Sequence, residues 1–245
     1  MNIRYNRAVV KVKTKKSMVQ ADYGQAIGKT INKVFSDNGK WTSFHKSRKR
    51  KGYTFSTLIN DKTGYVTQHM ETNAYGTFYL YAEDLLFLQR VEDCLFESDF
   101  FKVLEVGIDT LEWKGPVKQV KIKNPLLLKN SENEKRNVLL LRETSTQSEK
   151  EEYKAFLNKI IQEDFEYITK EKLPDAFEYV VDIFEPKVAH YNIGEYKLLG
   201  TKCNLAIDQT ILGKTVTQHL IHYGIGNKSS YLGAGSLILK GESTC

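Results

Sequence analysis

Segments patterned as strands and segments patterned as amphipathic helices follow one another in the order strand-helix-strand-strand-helix-strand, and that order occurs twice. A chain so arranged buries both helix stripes most simply as a split βαβ unit, with two helices over one face of a four-stranded sheet. In the first round, Arg7–Lys13 sets Ala8, Val10 and Val12 on one face and Arg7, Lys11 and Lys13 on the other, with Val9 breaking the alternation. Asp22 can cap a helix whose Tyr23, Ile27, Ile31, Val34 and Phe35 recur at helical spacing, with Gly39 as its stop. Tyr53–Ile59 and Gly76–Tyr81 read as strands joined through Asn60, Asp61 and Gly64. Asp84 can cap a helix with Leu85, Leu88, Val91 and Leu95 inward, and Phe101–Ile108 closes the unit.

The second round has the same order without detectable sequence identity to the first. Lys118–Leu128 and Val138–Leu141 read as strands or a hairpin. Ser148 and Glu151 read as a capping box ahead of Tyr153, Phe156, Leu157, Ile160 and Ile161. Phe177–Phe184 and Leu198–Ile207 are strands, and Asp208 can cap a helix through Ile211, Leu212, Val216 and Leu220. Gly224-Ile225-Gly226 ends that helix, and Leu237-Ile238-Leu239 is a final strand. The expectation is an α+β chain of tandem ferredoxin-like domains, βαββαβ twice, with domains at 1–115 and 116–245 meeting near residues 113–125.

The 245 residues are 41% apolar, enough to fill such cores and incompatible with general disorder. No run approaches the roughly 18 apolar residues of a spanning helix, and Met1-Asn2-Ile3-Arg4-Tyr5 lacks a signal-peptide pattern. Cys94, Cys203 and Cys245 are scattered and odd in number, forming neither a zinc spacing nor a disulfide framework. A cytoplasmic protein without a membrane partner is expected.

Charge is distributed unevenly. Residues 1–51 hold 14 Lys and Arg against only Asp22 and Asp37, on a chain whose net charge is +6, so the remainder is mildly acidic. Lys11, Lys13, Lys15 and Lys16 form one dense part of this pole. Lys46, Arg48, Lys49, Arg50 and Lys51 form the other. A smaller acid-free stretch carries Lys114, Lys118, Lys121, Lys123 and Lys129. Any single lysine here is ordinarily a solubilising residue. Five cations in six positions repel one another and favour a polyanion, and without an apolar helix face nucleic acid fits better than membrane.

Gly224, Gly226, Gly233 and Gly235 form G-x-G-x6-G-x-G. The third glycine is misplaced for a dinucleotide fingerprint, and the loop runs from helix to strand rather than the reverse. Gly28-Lys29-Thr30 and Gly213-Lys214-Thr215 resemble the tail of a Walker loop, but Tyr23 and Asp208 stand where its first glycine is needed. Two readings stay open. The loop is a tight helix-to-strand connection, or it faces RNA with exposed amides and Lys228 as donors. Among the histidines, His69 sits in a turn-rich stretch and reads as a surface residue that could approach RNA, and His190 follows a strand near Pro186 and has no partner pattern. His219 and His222 are three apart but lack a third metal ligand, and His219 falls on the apolar stripe. No metal and no cofactor is implied.

Two segments together carry a family resemblance: the His45 loop ending in Lys51-Gly52-Tyr53-Thr54-Phe55-Ser56-Thr57-Leu58, and the Gly224–Gly235 loop followed by an apolar strand. The chain resembles, over essentially its whole length, the CRISPR-associated endoribonuclease that cuts repeat RNA, within the RAMP superfamily of duplicated ferredoxin-like folds. The resemblance implies His45 as the catalytic histidine and Lys51 as its electrostatic partner. Thr30 stands roughly where certain members carry a tyrosine in the first helix, and Tyr23 is the nearest tyrosine.

Such a site needs no obligatory metal, because RNA carries its own nucleophile. Its 2′-hydroxyl can attack the adjacent phosphorus and leave a 2′,3′-cyclic phosphate. Histidine suits either proton role, and a cation stabilises the phosphorane. Lys46, Arg48, Lys49 and Arg50 would hold phosphates, with Lys228, Gly224, Gly226, Gly233 and Gly235 at the second loop. Trp41, Phe44 and Tyr53 could stack on bases or lie in the core. The expected partner is CRISPR repeat RNA, with a CRISPR interference complex or a homodimer as further possibilities. The alternative is a non-catalytic RNA-binding RAMP subunit of an interference complex. More remote is a general RNA-binding protein indifferent to repeat sequence.

Overall fold

The structure is a computed structural model that describes residues 2–36, 52–94, 98–129, 138–193, 195–226, 233 and 235–239. The first half runs β1 (Ile3–Thr14), β2 (Met18–Val19), α1 (Gln20–Ser36), β3 (Tyr53–Phe55), β4 (Ile59–Asn60), β5 (His69–Met70), β6 (Tyr75–Ala82), α2 (Leu85–Cys94) and β7 (Phe101–Trp113). The second half runs β8 (Gln119–Ile122), β9 (Leu128–Lys129), β10 (Val138–Leu139), α3 (Gln147–Thr169), β11 (Val180–Ile193), β12 (Tyr196–Ile207), α4 (Ile211–Tyr223) and β13 (Leu237–Leu239). The chain passes from one sheet to the other between Trp113 and Gln119.

The sheets have orders β3-β6-β1-β7 and β11-β12-β8-β13, all neighbours antiparallel, with β4 also on β6. Counting the main strands of each half in chain order, both sheets read second-third-first-fourth. This is the ferredoxin-like arrangement, formed twice. Two short ribbons, β2 with β5 and β9 with β10, lie outside these sheets.

Helices α1 and α2 cover one face of the first sheet. Tyr23, Ile27, Ile31, Leu88 and Val91 pack there with Ala8, Val10, Val12, Phe78 and Leu80. The opposite face is covered too. Ile3, Tyr5, Tyr79 and Tyr81 join Val216, Leu220 and Ile221 of α4 in the core of the second half, with Val9 against it. That second cover explains why Val9 interrupts the apolar alternation of β1. Helix α4 therefore packs against β1, β3 and β6 as well as β13.

Helix ends depart from the expectations drawn from sequence. The capping box of α3 is Thr146 with Glu149, two residues before the Ser148–Glu151 pair. Both pairs have the right spacing, and the one nearer the incoming turn closes the first free amides. Thr210 caps α4, its hydroxyl accepting from the Gly213 amide, while Asp208 accepts from the Thr210 amide in the preceding turn. Asp22 lies inside the first turn of α1, where its charge still opposes the helix dipole. Asp84 does cap α2, its Oδ1 accepting from Leu86 N at 2.9 Å. Leu85 and Ile211 point outward, at 42% and 70% exposure, because each opens its helix before the inward stripe begins.

Strands also differ in length. β11 and β12 form a hairpin carried to Ile193 and Tyr196, well beyond the apolar segments that predicted it. The register slips between Phe184 and Lys187, around Pro186 and the left-handed Glu185. A bulge at a proline lets the ladder resume, and the outer hairpin buries Tyr191 while Lys187, Val188, His190, Lys197 and Leu199 are exposed, which leaves no regular apolar alternation to read.

Candidate nucleic-acid interface

The strand that follows the His45 loop and the glycine-rich loop, far apart in sequence, meet at one side chain. Tyr53 through Leu58 are all buried. Tyr53, Phe55 and Leu58 face the core under α1 and α2, and Ser56 Oγ accepts from Tyr79 N at 2.9 Å. Beside them sits Asn124, 3% exposed, just past the end of β8. Its Nδ2 donates to the Phe55 carbonyl at 3.1 Å and to the Gly233 carbonyl at 3.0 Å. The Asn124 carbonyl accepts from Gly235 N at 3.3 Å, and Gly235 in turn accepts from Ile225 N at 3.1 Å.

All four motif glycines have positive φ. At Gly233 a Cβ would run into the Phe55 carbonyl and come within 2.7 Å of Asn124 Nδ2, and at Gly235 one would collide with the Ile225 carbonyl. Glycine is needed here on two counts, conformation and close approach.

From this junction a groove runs along the face of the second sheet turned away from α3 and α4. Two clefts, of about 460 Å³ and about 330 Å³, share Gln20, Thr57 and Lys202. The first is also lined by Asn124, His190, Asn192 and Lys197, the second by Lys121, Lys123, Lys187 and Asn204. β8 and β12 are antiparallel with Asn204 opposite Lys121, which sets Lys202 toward Lys123. Burial, then Lys121, holds the Lys123 pKa below the usual lysine value. Burial, then Lys123 and Lys121, does the same to Lys202. Like charges facing each other across a ladder are unfavourable, and an anion in the groove would relieve them.

A second polar group lies beside Gly52. A Cβ on Gly52 would be 3.6 Å from the Tyr223 hydroxyl, which donates to Glu83 Oε2 at 2.9 Å. His219 stacks on Tyr223 with centroids 4.4 Å apart. His222, 5% exposed, accepts from the Asn6 amide at 3.3 Å, and burial lowers its pKa to about 4 against a small opposing pull from Glu83. Both histidines are therefore interior residues of α4. Among the described residues no group of three or more His, Cys, Asp or Glu could hold a metal ion, and no helix is long and apolar enough to cross a membrane.

His45, Lys51, Lys46, Arg48, Lys49, Arg50 and Lys228 lie outside the described residues, as do Trp41, Phe44 and Gly39. Of the two readings left open for Tyr53, base stacking and core, the structure gives the core. The ring is fully buried and stacks on Phe87 at 4.9 Å, so it cannot stack on a base. Thr30 is also turned inward, its hydroxyl donating to the Ala26 carbonyl at 2.8 Å and hydrogen-bonded with the Ser98 hydroxyl at 2.9 Å. Tyr23 is buried and donates to the Thr67 carbonyl. Neither residue of the first helix reaches a surface site.

Lys11 pairs with Glu105 at 2.8 Å and Lys13 lies over the Tyr75 ring, so part of the basic pole is compensated on the first sheet. His69 is exposed and bonds Ser17 Oγ at 2.7 Å. Sequence reasoning missed Asn124, Lys187, Lys197 and Lys202 and gave His190 no role. The alternation Val120, Lys121, Ile122, Lys123 was the available signal, a strand with lysine at successive outward positions.

No family model and no curated protein matches the sequence. Solved structures do match. A CRISPR-associated protein Cas6 is similar at 20% identity and a TM-score of 0.72, over 96% of this chain and 99% of that one. An RAMP protein described as binding different RNA substrates is similar at 15% identity and 0.71, over 96% and 99%. A Cas6-related protein from Pyrococcus furiosus is similar at 14% and 0.69, over 98% and 100%. At these identities the likeness is one of fold, and the chain has the fold of Cas6 and related RAMP proteins.

Proposed function

We propose that the protein is a metal-independent endoribonuclease that cuts CRISPR repeat RNA into guide RNAs. The observation that carries this reading is the junction at Asn124. It ties the strand leading out of the His45–Lys51 stretch to the glycine loop, at the head of a lysine-lined groove, in a fold shared with Cas6. The groove lysines offer sites for phosphates, whose binding releases counterions and weakens with salt. In this reading Lys46, Arg48, Lys49, Arg50 and Lys228 would hold further phosphates.

In this mechanism the substrate's 2′-hydroxyl attacks the adjacent phosphorus in line as the 5′-oxygen leaves. His45 handles one of the two protons and Lys51 stabilises the negative phosphorane. The products are a 2′,3′-cyclic phosphate and a 5′-hydroxyl end.

The test is cleavage of labelled repeat RNA in EDTA by wild type and by His45→Ala, with the 3′ end of the product identified. Cutting to a cyclic phosphate by wild type, lost in the variant, is expected. Normal cutting by the variant, or a strict need for divalent metal, overturns the mechanism. The buried Thr30 and Tyr23 favour one second reading, a non-catalytic RAMP subunit of an interference complex, since neither of these two hydroxyls on the first helix reaches a surface site. Tight binding of repeat RNA without any cleavage would establish it.

A further inference from the structure

We infer that Asn124 is a positioning residue that sets the register of bound RNA, by holding the returning limb of the glycine loop at a fixed place against β3. For the cleavage part of its test, this rests on the nuclease reading.

The physical case is one of satisfied geometry. A buried side-chain amide has two donor hydrogens, and both are used on main-chain carbonyls of different segments, Phe55 and Gly233. The Gly233 carbonyl also accepts from Ser236 N at 3.2 Å, and Asn124's own carbonyl accepts from Gly235 N. Lys123, one residue earlier, bonds through its amide to the Ser236 carbonyl at 2.9 Å and contributes its ammonium to the groove. One residue pair thus carries the lysine groove on one side and the loop on the other. Only asparagine of the small amides has this reach. Aspartate would set a carboxylate against two carbonyls, and alanine would remove the donor from Phe55 and leave the Gly233 carbonyl with the Ser236 amide alone. The groove lysines are not held by the Asn124 side chain: Lys121 is placed opposite Asn204 in the β8–β12 ladder, and Lys123 by the hydrogen bond of its own amide to the Ser236 carbonyl.

Loss of the amide should therefore disturb alignment more than affinity, which changes only by what Asn124 contributes as one of the residues lining the first cleft. The experiment compares wild type, Asn124→Ala, Asn124→Asp and Gly233→Ala, each shown folded by circular dichroism at the assay temperature. Repeat-RNA affinity, single-turnover cleavage at saturating RNA and the position of the cut are measured. The expected result is cleavage at saturating RNA slowed at least about tenfold, a smaller fall in affinity because Asn124 itself lines the first cleft, and cuts spread over neighbouring phosphodiesters. Asn124→Ala combined with Gly233→Ala should be no slower than the worse single variant, since both break one contact. Unchanged rate and cutting position overturn the inference, as does a loss of affinity equal to the loss of rate.

Should wild type bind but not cut, the nuclease reading fails on its own, and amide exchange decides Asn124. RNA should slow exchange at Gly235 and Ser236 in wild type but not in the Asn124 variants. Equal slowing in all of them overturns the inference.

Discussion

At single positions the molecule shows how much a turn can demand of one residue. Gly235 has φ of 66° and no room for a Cβ. Gly235→Ala combines left-handed strain with a backbone collision and should cost about 3 kcal/mol, read as a lower denaturant midpoint at unchanged m-value. His222 makes a second residue-scale prediction. Buried, with its Nε2 accepting from the Asn6 amide, it stays neutral down to about pH 4, whereas the unfolded chain takes up the proton near pH 6.5. Its neutral form costs nothing above pH 6.5. Stability is lost as pH falls from about 6.5 to about 4, by up to about 3 kcal/mol. His222→Gln keeps an acceptor without the titration, so thermal melts of this variant should fall less over that pH window than those of wild type. Equal slopes would refute the assignment.

At the scale of elements, the β8–β12 face sets stability against binding. Lys123 and Lys202 face each other half-buried, and the charges acting on their pKa values are other lysines. Lys202→Met should raise stability by about 0.5–1 kcal/mol while weakening RNA binding. The slope of log affinity against log salt should fall by about 0.7 if one single-strand phosphate contact is lost. A variant both less stable and unchanged in RNA affinity would show that the groove is not a phosphate site. The α3 capping box predicts a plainer effect. Thr146→Ala frees the Glu149 amide and should cost about 1 kcal/mol in urea, with no effect on RNA binding.

For the whole molecule, α4 is the decisive packing element. It belongs to the second βαββαβ unit, yet it buries Ile3, Tyr5, Tyr79 and Tyr81 of the first sheet. Residues 1–115 produced alone would expose those side chains, and the fragment should bind a hydrophobic dye and lack a cooperative melt. A sharp two-state melt would show that the first unit folds without α4. Adding the second half in trans should restore order if the interface is as apolar as its residues.

Much of this was legible in the chain. Ala8, Val10 and Val12 at period two, and Tyr23, Ile27 and Ile31 at helical period, place strand and helix because side-chain direction follows backbone repeat. Two rounds of one element order then imply two ferredoxin-like sheets. The buried side of α3, with Tyr153, Leu157 and Ile161 inward, could be read in the same way. Leu85 and Ile211 could not, since an apolar residue at a helix mouth has the right period and no neighbour to cover it. Whether the Tyr53 ring stacks on a base or lies in the core was open from sequence, and packing against Phe87 decided for the core.

Local periodicity and charge runs thus sufficed for the elements, their order and the basic pole, because each depends on residues a few positions apart. The Asn124 clamp, the opposition of Lys123 to Lys202 and the double duty of α4 came only with folding. Each joins residues separated by tens to more than a hundred positions, and no short-range pattern records which strand will lie beside which.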